Sequence, residues 1–511
     1  MGYPAGRPAG RNMRAVERLA PHRLAGMWAD EAANGLFRRT PALSARAGLM
    51  PAQKRTAMIL AATGFAVFAI NPHLGWITLQ IVTALFFLTL IAFRLMAASV
   101  PAHRAPATEL ADHDLPVVTI LAPVYRESAV LAQLTRALAA LDYPHDRLDI
   151  KIIMEADDRD TIRAARQLVF DSRFEIVIVP DGRPRTKPRA LNYALTFARG
   201  DIVTVYDAED VPHPGQLRAA AKAFAAGDDN LGCVQAPLNW YNHDRNWLTR
   251  QFALEYAVQF HAILPLLSRL GLPLPLGGTS NHFRRAALDE AGGWDAYNVT
   301  EDADLGFRLA RLGYRSDVIA PQTMEEAPES IRPWIRQRSR WLKGYMQTLA
   351  VQLRHPSRLT LAAGLSLSLT IGAAVLSALL HGPAIMLFAG LWMLGILPAN
   401  LPAAGFLLIG YAASMLCGGV SIRRAGLRTR WLDIARMPLY WPLQTFAAIS
   451  ALVELRMRPY FWAKTEHGFT KAPEPECRLP SHSSSSSSPR PPLRFAPGKP
   501  EESRTPQKAR A

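Results

Sequence analysis

Residues 202–210 read Ile-Val-Thr-Val-Tyr-Asp-Ala-Glu-Asp, an apolar run rich in β-branched residues that ends abruptly in carboxylates. Ile202–Tyr206 has the composition of a buried strand, and Asp207, Glu209 and Asp210 then fall where that strand leaves its sheet. Working back toward the N-terminus, three similar runs precede it: Val117–Leu121, Ile150–Met154 and Glu175–Val179. Helical patterns separate them, from Ser128, the expected cap, to Ala140, then Arg159–Phe170 and Ala190–Ala198. Strand and helix alternating at these lengths predict a mostly parallel α/β sheet covered by helices. In such sheets ligands bind beyond the carboxyl ends of the strands. The second run ends as the fourth does, in acids: Glu155, Asp157 and Asp158.

Carboxylates crowded at a sheet edge repel one another unless a cation or protons compensate them. Asp207 and Glu209 bring two within reach of one hard cation, Mg2+ or Mn2+, which completes its shell with substrate phosphate oxygens. One such cluster alone reads more readily as a polar turn capping the next helix; two on one sheet reverse that preference. Downstream, Leu276–His282 (Leu-Gly-Gly-Thr-Ser-Asn-His) lets backbone approach a ligand closely. Val299–Gly306 opens a helix with Thr300 as its expected N-cap and Glu301 at its positive end, leaving Asp302 as a candidate general base. Arg332–Trp341 carries Arg and Trp at helical spacing, the pattern of a helix lying in a membrane interface.

On either side the chain changes character. Ala57–Ile70 and Leu74–Ala98 are almost free of charge, with Arg94 near the second segment's end placed to snorkel toward the interface. Leu359–Leu380, Pro383–Leu401, Ala403–Val420 and Ile434–Leu455 form a second apolar block, four nominal spans to add to the first two. That count places Arg423, Arg424, Arg428 and Arg430 outside, against the positive-inside rule. A broken segment at Pro398 and Pro402 would return them inside and leave the last stretch in the interface. The 511 residues carry 58 Lys+Arg against 42 Asp+Glu, a net charge of +16. Residues 98–358 hold 31 basic and 32 acidic residues, so the excess lies beside the apolar segments. A nucleic-acid binder concentrates positive charge on its folded domain, so no nucleic acid is expected as a partner. Three scattered cysteines, Cys233, Cys417 and Cys477, make neither a disulfide framework nor a zinc site.

Taken in order, the motifs resemble the membrane-integrated family-2 glycosyltransferases of the cellulose-synthase and chitin-synthase-like group. The resemblance spans roughly residues 117–345. It rests on Asp157/Asp158, Lys187 with Asn192, Asp207-Ala208-Glu209, Gly277–Asn281, Thr300-Glu301-Asp302, and Gln337-Arg338-Ser339-Arg340-Trp341, the Q-x-x-R-W signature. It implies a GT-A-type, Rossmann-like domain inserted between transmembrane helices on the cytosolic face of a bacterial inner membrane. The implied reaction is inverting transfer of a sugar from a nucleotide-diphosphate donor, a UDP-sugar by preference, to a growing β-linked polysaccharide. The alternatives are a single transfer to a polyprenyl phosphate or lipid and, further off, a non-catalytic membrane scaffold. By resemblance Asp157 or Asp158, with Asp157 preferred, contacts the nucleotide, with Lys187 and Asn192 in the same donor site. Asp207 and Glu209 hold the metal on the diphosphate, Asp302 deprotonates the acceptor hydroxyl, and Arg340 stabilises the leaving diphosphate. Trp341, with Glu301 and Gln337, receives the acceptor.

Glu209 stands where cellulose synthases usually carry Asp, and the N-terminal hairpin has fewer helices than theirs, so an export or regulatory partner is not specified. The expected layout is a basic N-terminal region (1–55), a transmembrane hairpin (56–98), the GT-A domain (99–330) and an amphipathic interface region (331–358). A C-terminal transmembrane block (359–455), a juxtamembrane segment (456–470) and a disordered Pro/Ser-rich tail (471–511) complete it.

Overall fold

Strand alternation in the computed structural model sends successive residues to opposite faces of one large sheet. Ile120, Ile152 and Ile176 pack under the helices Leu131–Ala139, Arg159–Gln167 and Gln216–Ala226, while Leu121, Ile153 and Val177 pack under Lys187–Leu195 and Trp247–Val258. Because both faces are covered, the strands are buried along their whole length rather than on alternate residues. The structure describes residues 16–18, 22–101, 108–168, 171–395 and 401–462. The expected tail, Cys477 and most of the 456–470 segment lie outside them.

In chain order the strands are β1 (Val16–Arg18), β2 (Val118–Val124), β3 (Leu148–Glu155), β4 (Phe174–Val179), β5 (Ile202–Val205) and β6 (Val211–Pro212). They continue as β7 (Leu231–Gln235), β8 (Leu238–Trp240), β9 (Asn281–Arg284), β10 (Arg315–Val318) and β11 (Thr323–Glu325). Eight form a sheet in the order β1-β4-β3-β2-β5-β9-β7-β10, parallel except for β9, which runs antiparallel between β5 and β7. The other three form a small sheet, β6-β11-β8, beside the carboxyl end of β5. All four expected strands are present, and the mostly parallel, helix-covered sheet with them.

Helix starts differ from expectation where local chemistry overrides pattern. Ser128 caps nothing: it lies in a turn, and the helix begins at Leu131 after Val130, without a side-chain cap. The expected Ala190–Ala198 helix starts earlier, at Lys187, because Pro188 suits a first turn that needs no N–H from it. Thr300 does occupy the N-cap of Glu301–Arg311, yet its side chain makes no capping bond; its N–H donates to Asn298 Oδ1 at 3.0 Å instead.

Among the described residues, three helices are long and apolar enough to cross a membrane: Pro72–Ser99, Leu361–Met393 and Gly405–Arg424. The spans read as Leu359–Leu380 and Pro383–Leu401 are replaced, over the described residues, by one continuous helix that contains Pro383 and a π-turn at Ser368–Gly372. That merger removes the charge conflict. The helix ending at Arg424 now runs alongside Pro72–Ser99, and the Arg424 guanidinium donates to the carbonyls of Ala97, Ala98 and His261 at 3.2, 2.6 and 3.2 Å. It therefore sits where the chain enters the sheet domain. The last apolar stretch, Met437–Met457, instead packs lengthwise on the Ile331–Gln352 helix, with Tyr440 against Trp334 at one end and Glu454 against Lys343 at the other. The basic N-terminal region is folded over its described part. Helix His22–Arg39 packs on Lys187–Leu195, and Arg354 grips the carbonyls of Pro41, Ala42, Ser44 and Gly48.

Candidate active site

The carboxyl ends of the strands open into a cavity of about 1280 Å3 that continues among the C-terminal helices. Asp207 and Glu209 after β5, Gly277 and Gly278 before β9, Glu301 and Asp302 at a helix start, and Gln337, Arg340 and Trp341 on the Ile331–Gln352 helix all line it. Segments more than a hundred residues apart meet there because close approaches are left open at glycine. A side chain at Gly278 would meet Asp302 Oδ2 at 3.4 Å. One at Gly344 would meet the Thr300 backbone nitrogen at 2.7 Å, so this glycine lets the Trp341-bearing helix lie directly on the Asp302-bearing one.

Lys187 organises the β5 end of the cavity. Its ammonium pairs with Asp207 and donates to the Gly278 carbonyl at 2.7 Å. Burial alone would lower its pKa, but Asp207, Glu301 and Asp302 more than reverse that and hold it charged. Asp210 is turned inward: it accepts from the Asp207 N–H at 2.7 Å and from the Thr279 hydroxyl, which ties the β5 end to the glycine-rich loop. Burial first, and the neighbouring Asp207 carboxylate second, push Glu209 up to about 8. Glu325 on β11 is raised by burial and then by Asp210, Glu209 and Asp207. Glu325 is not legible as a site residue in the sequence, because only the pairing of the small sheet brings it to the acids.

Crowding of this kind is what a hard divalent cation relieves, and the oxygen donors of Asp207 and Glu209 fit one. Among the described residues no three His, Cys, Asp or Glu side chains converge to hold an ion by themselves. Any such ion would complete its shell from a ligand.

At the start of Glu301–Arg311, Asp302 is half-buried, and that burial raises its carboxyl pKa against the opposing pull of the Ala303 N–H, Lys187 and Arg340. Glu301 is pushed up to about 7 by burial and then by Asp302. Asp302 Oδ1, Gln337 Oε1 and Arg340 Nε are all buried without a hydrogen-bond partner among the described residues. Trp341 stacks on Tyr256, ring centroids 6.0 Å apart, and Arg338 lies 4.5 Å from its ring. Arg338 in turn makes a two-pronged pair with Glu255, at 2.6 and 2.7 Å, which pins the motif helix to Trp247–Val258. The sequence marks Arg338 only as an unassigned position within its motif and Glu255 not at all. Arg340 lies 5.2 Å from the Trp462 ring, on a segment, Arg458–Trp462, that lines the cavity although it read as juxtamembrane chain.

Three expected donor contacts are not brought to the cavity wall. Asn192 donates to the Ala32 and Trp294 carbonyls at 2.9 and 2.7 Å and accepts from the Trp294 N–H at 2.9 Å, so its polar atoms are committed to backbone. Asp158 caps Arg159–Gln167 through the Thr161 N–H and accepts from the Arg126 N–H. Asp157 pairs with Arg185 at 2.5 Å and accepts from the Tyr125 hydroxyl at 3.2 Å. Its two partners, rather than Asp157 itself, line the cavity.

The sheet domain is similar to known proteins. Residues 116–344 match the model of the glycosyltransferase-like family 2. The protein "Probable glycosyltransferase YdaM" of Bacillus subtilis is 29% identical over 240 residues, covering 45% of this chain and 56% of that protein. The β-monoglucosyldiacylglycerol synthase of Synechocystis is 28% identical over 308 residues, covering 58% and 61%. The cellulose synthase 1 catalytic subunit of Komagataeibacter xylinus is 28% identical over 277 residues, covering 52% and 36%. The chain thus spans less than two thirds of the length of each of these relatives. The solved mannosyltransferase PcManGT from Pyrobaculum calidifontis, in complex with GDP-Man and Mn2+, aligns with a TM-score of 0.49 at 21% identity, over 73% of this chain and 98% of that one. The segment 116–344, with its mostly parallel sheet and acid-lined strand ends, is the part of this chain that is similar to the glycosyltransferase-like family 2.

Proposed function

We propose that this protein is an inverting membrane glycosyltransferase that moves a sugar from a nucleotide-diphosphate donor to a growing β-linked glycan at the cytosolic membrane face. The observation that carries the reading is the set of buried polar atoms on Asp302, Gln337 and Arg340, without partners among the described residues, around one cavity that also holds Asp207 and Glu209. Leaving such atoms unpaired costs free energy, and a sugar-diphosphate with its acceptor supplies hydroxyls and anionic oxygens to pair them.

In this account Asp207 and Glu209 hold Mg2+ or Mn2+, which when bound offsets charge on the diphosphate. Lys187 orients Asp207, and Arg340 meets the negative charge that develops on the leaving group. Asp302 takes the proton of the attacking hydroxyl as the new bond forms at the anomeric carbon. Its raised pKa makes it a stronger base than an ordinary carboxylate. Trp341, on its aromatic bed of Phe252 and Tyr256, offers a face for the acceptor sugar, and Gln337 and Glu301 offer hydrogen bonds beside it. The nucleotide lies toward Tyr125 and Arg185, with Asp157 orienting the latter.

A glycan acceptor is favoured because the cavity runs on among the helices past Ser377, His381, Tyr411, Trp441 and Gln444, side chains that bind sugars by stacking and hydrogen bonding. A lipid acceptor is the second reading, favoured by the apolar wall of Phe87, Leu90 and Ile91 on the same cavity. Purified protein in liposomes, given a panel of radiolabelled nucleotide sugars with Mg2+ or Mn2+, separates the two. Label retained in a polymer resistant to organic extraction supports the glycan; label extracted as a single glycolipid supports the lipid. Full transfer in excess chelator would exclude the metal assignment.

A further inference from the structure

On the helix Pro72–Ser99 the residues that line the cavity are Phe87, Leu90, Ile91, Phe93 and Arg94. Positions 87, 90, 91 and 94 recur at helical spacing, so they form one stripe: three apolar rungs ending in a single cation. The cation lies at the end nearer the sheet domain, one turn before the carbonyls of Ala97 and Ala98 that hold Arg424. The apolar rungs run away from that end, within the stretch Leu74–Phe93, which carries no charged residue.

Arg94 has no hydrogen-bond or ion-pair partner among the described residues. Glu255 and Cys417 act on it electrostatically. Glu255, however, is already committed to Arg338 through both carboxylate oxygens, at 2.6 and 2.7 Å, and accepts from the Tyr440 hydroxyl at 2.7 Å. Cys417 is a buried thiol and no counter-ion. An arginine among apolar side chains in a membrane-spanning helix is costly to retain unless it pairs with a charge. A guanidinium binds phosphate oxygens in a fork that few other groups match.

We infer that Arg94 is the headgroup anchor of a lipid site, taking the phosphate of an anionic membrane lipid whose acyl chain lies along Ile91, Leu90 and Phe87. The inference rests on the membrane reading of Pro72–Ser99, and it gives the apolar wall of Phe87, Leu90 and Ile91 to a bound anionic lipid rather than to a lipid acceptor. Cation at the interface end and apolar rungs deeper match the order of headgroup and chain in the leaflet that faces the sheet domain. Free inorganic phosphate would satisfy the guanidinium but would leave the apolar rungs without a role.

Native mass spectrometry of the full chain released from detergent micelles tests this without any activity assay. The protein is loaded with phosphatidylglycerol, with zwitterionic phosphatidylcholine, or with inorganic phosphate. The expected result is retention of phosphatidylglycerol over phosphatidylcholine, loss of one bound phosphatidylglycerol in Arg94→Gln, and its recovery in Arg94→Lys. Arg428→Gln, at an exposed arginine that does not line the cavity, should leave that lipid in place. Equal retention by Arg94→Gln and wild type would overturn the site, as would equal retention of the two lipids by the wild type. Displacement of the lipid by millimolar inorganic phosphate would overturn its assignment to a lipid. If Arg94→Gln fails to fold, Leu90→Asp, which keeps the cation but puts a charge among the rungs, must lose the same lipid; retention there would also overturn it. Because lipid binding is read in the absence of donor, failure here leaves the transferase reading standing, and failure of transfer leaves this result intact.

Discussion

At the scale of single residues, Asp302 bears the strongest claim. Asp302→Asn keeps size and hydrogen bonding but cannot take a proton, so transfer should fall by about 10²- to 10⁴-fold, with donor affinity nearly unchanged in an equilibrium binding assay. If Asp302 only shapes a helix start, the same variant transfers at a near-normal rate. The wild-type profile carries a second signature. Lys187 and Arg340 face Asp302 and favour its ionised form, Glu301 opposes it, and burial outweighs them, so its pKa is raised. A base works only when ionised. Transfer should therefore be lost as pH falls through a value above the ordinary carboxylate range of about 4, and a descent at or below that range would contradict the assignment. Asn192 makes the opposite case. Its place in the resemblance suggested a donor contact, yet its bonds go to the Ala32 and Trp294 backbone. Asn192→Ala should destabilise the fold by about 1–3 kcal/mol through backbone groups left unpaired and leave donor affinity intact, as calorimetry and donor titration would show. Residue type and spacing make Asp207, Glu209, Asp302 and Arg340 legible in sequence. Nothing local says whether an asparagine faces a ligand or a neighbouring backbone, and only the folded pairing of β11 reveals Glu325.

Among elements, the junction of Glu301–Arg311 with Ile331–Gln352 decides whether base and acceptor platform share a cavity. Gly344→Ala would place a methyl 2.7 Å from the Thr300 nitrogen, on backbone that cannot swing aside. Overpacking of this kind costs about 1–3 kcal/mol. The variant should show a lowered melting temperature and a larger loss of transfer than of donor binding, because Asp302 and Trp341 are pushed apart while Asp207 and Lys187 stay. An unchanged transfer rate in a folded Gly344→Ala protein would contradict the contact. Strands were readable to within a residue or two at most ends, since a buried parallel strand announces itself as a short apolar run. Helix starts were less so: Ser128 has the chemistry of a cap but sits in a turn, and Pro188 moved a start forward. In the apolar block composition does not mark where one span stops. Pro383 looked like a boundary, yet a proline inside a packed apolar helix can be carried through when neighbouring groups accommodate it.

For the whole molecule, the merged helix Leu361–Met393 sets the expected topology, with the sheet domain and Arg424 on one side and the end of that helix on the other. A reporter fused after Arg358 should be active only in the cytoplasm, and one fused after Gly395 only outside; the reverse pattern would invert the orientation. The net charge of +16 was legible as a membrane signature from its distribution alone. The folding of the N-terminal region onto the sheet domain was not, because helix His22–Arg39 and the carbonyls that Arg354 grips gain their partners only across more than a hundred residues of chain. The most direct test of the account is transfer of labelled sugar from nucleotide donors by the purified chain in liposomes with Mg2+ or Mn2+, run beside Asp302→Asn. The wild type should make a β-linked glycan, and the variant should keep donor binding with transfer reduced at least a hundredfold, the lower bound of about 10² for a lost general base. No transfer by folded wild type from any donor, or equal transfer by the two proteins, would contradict it.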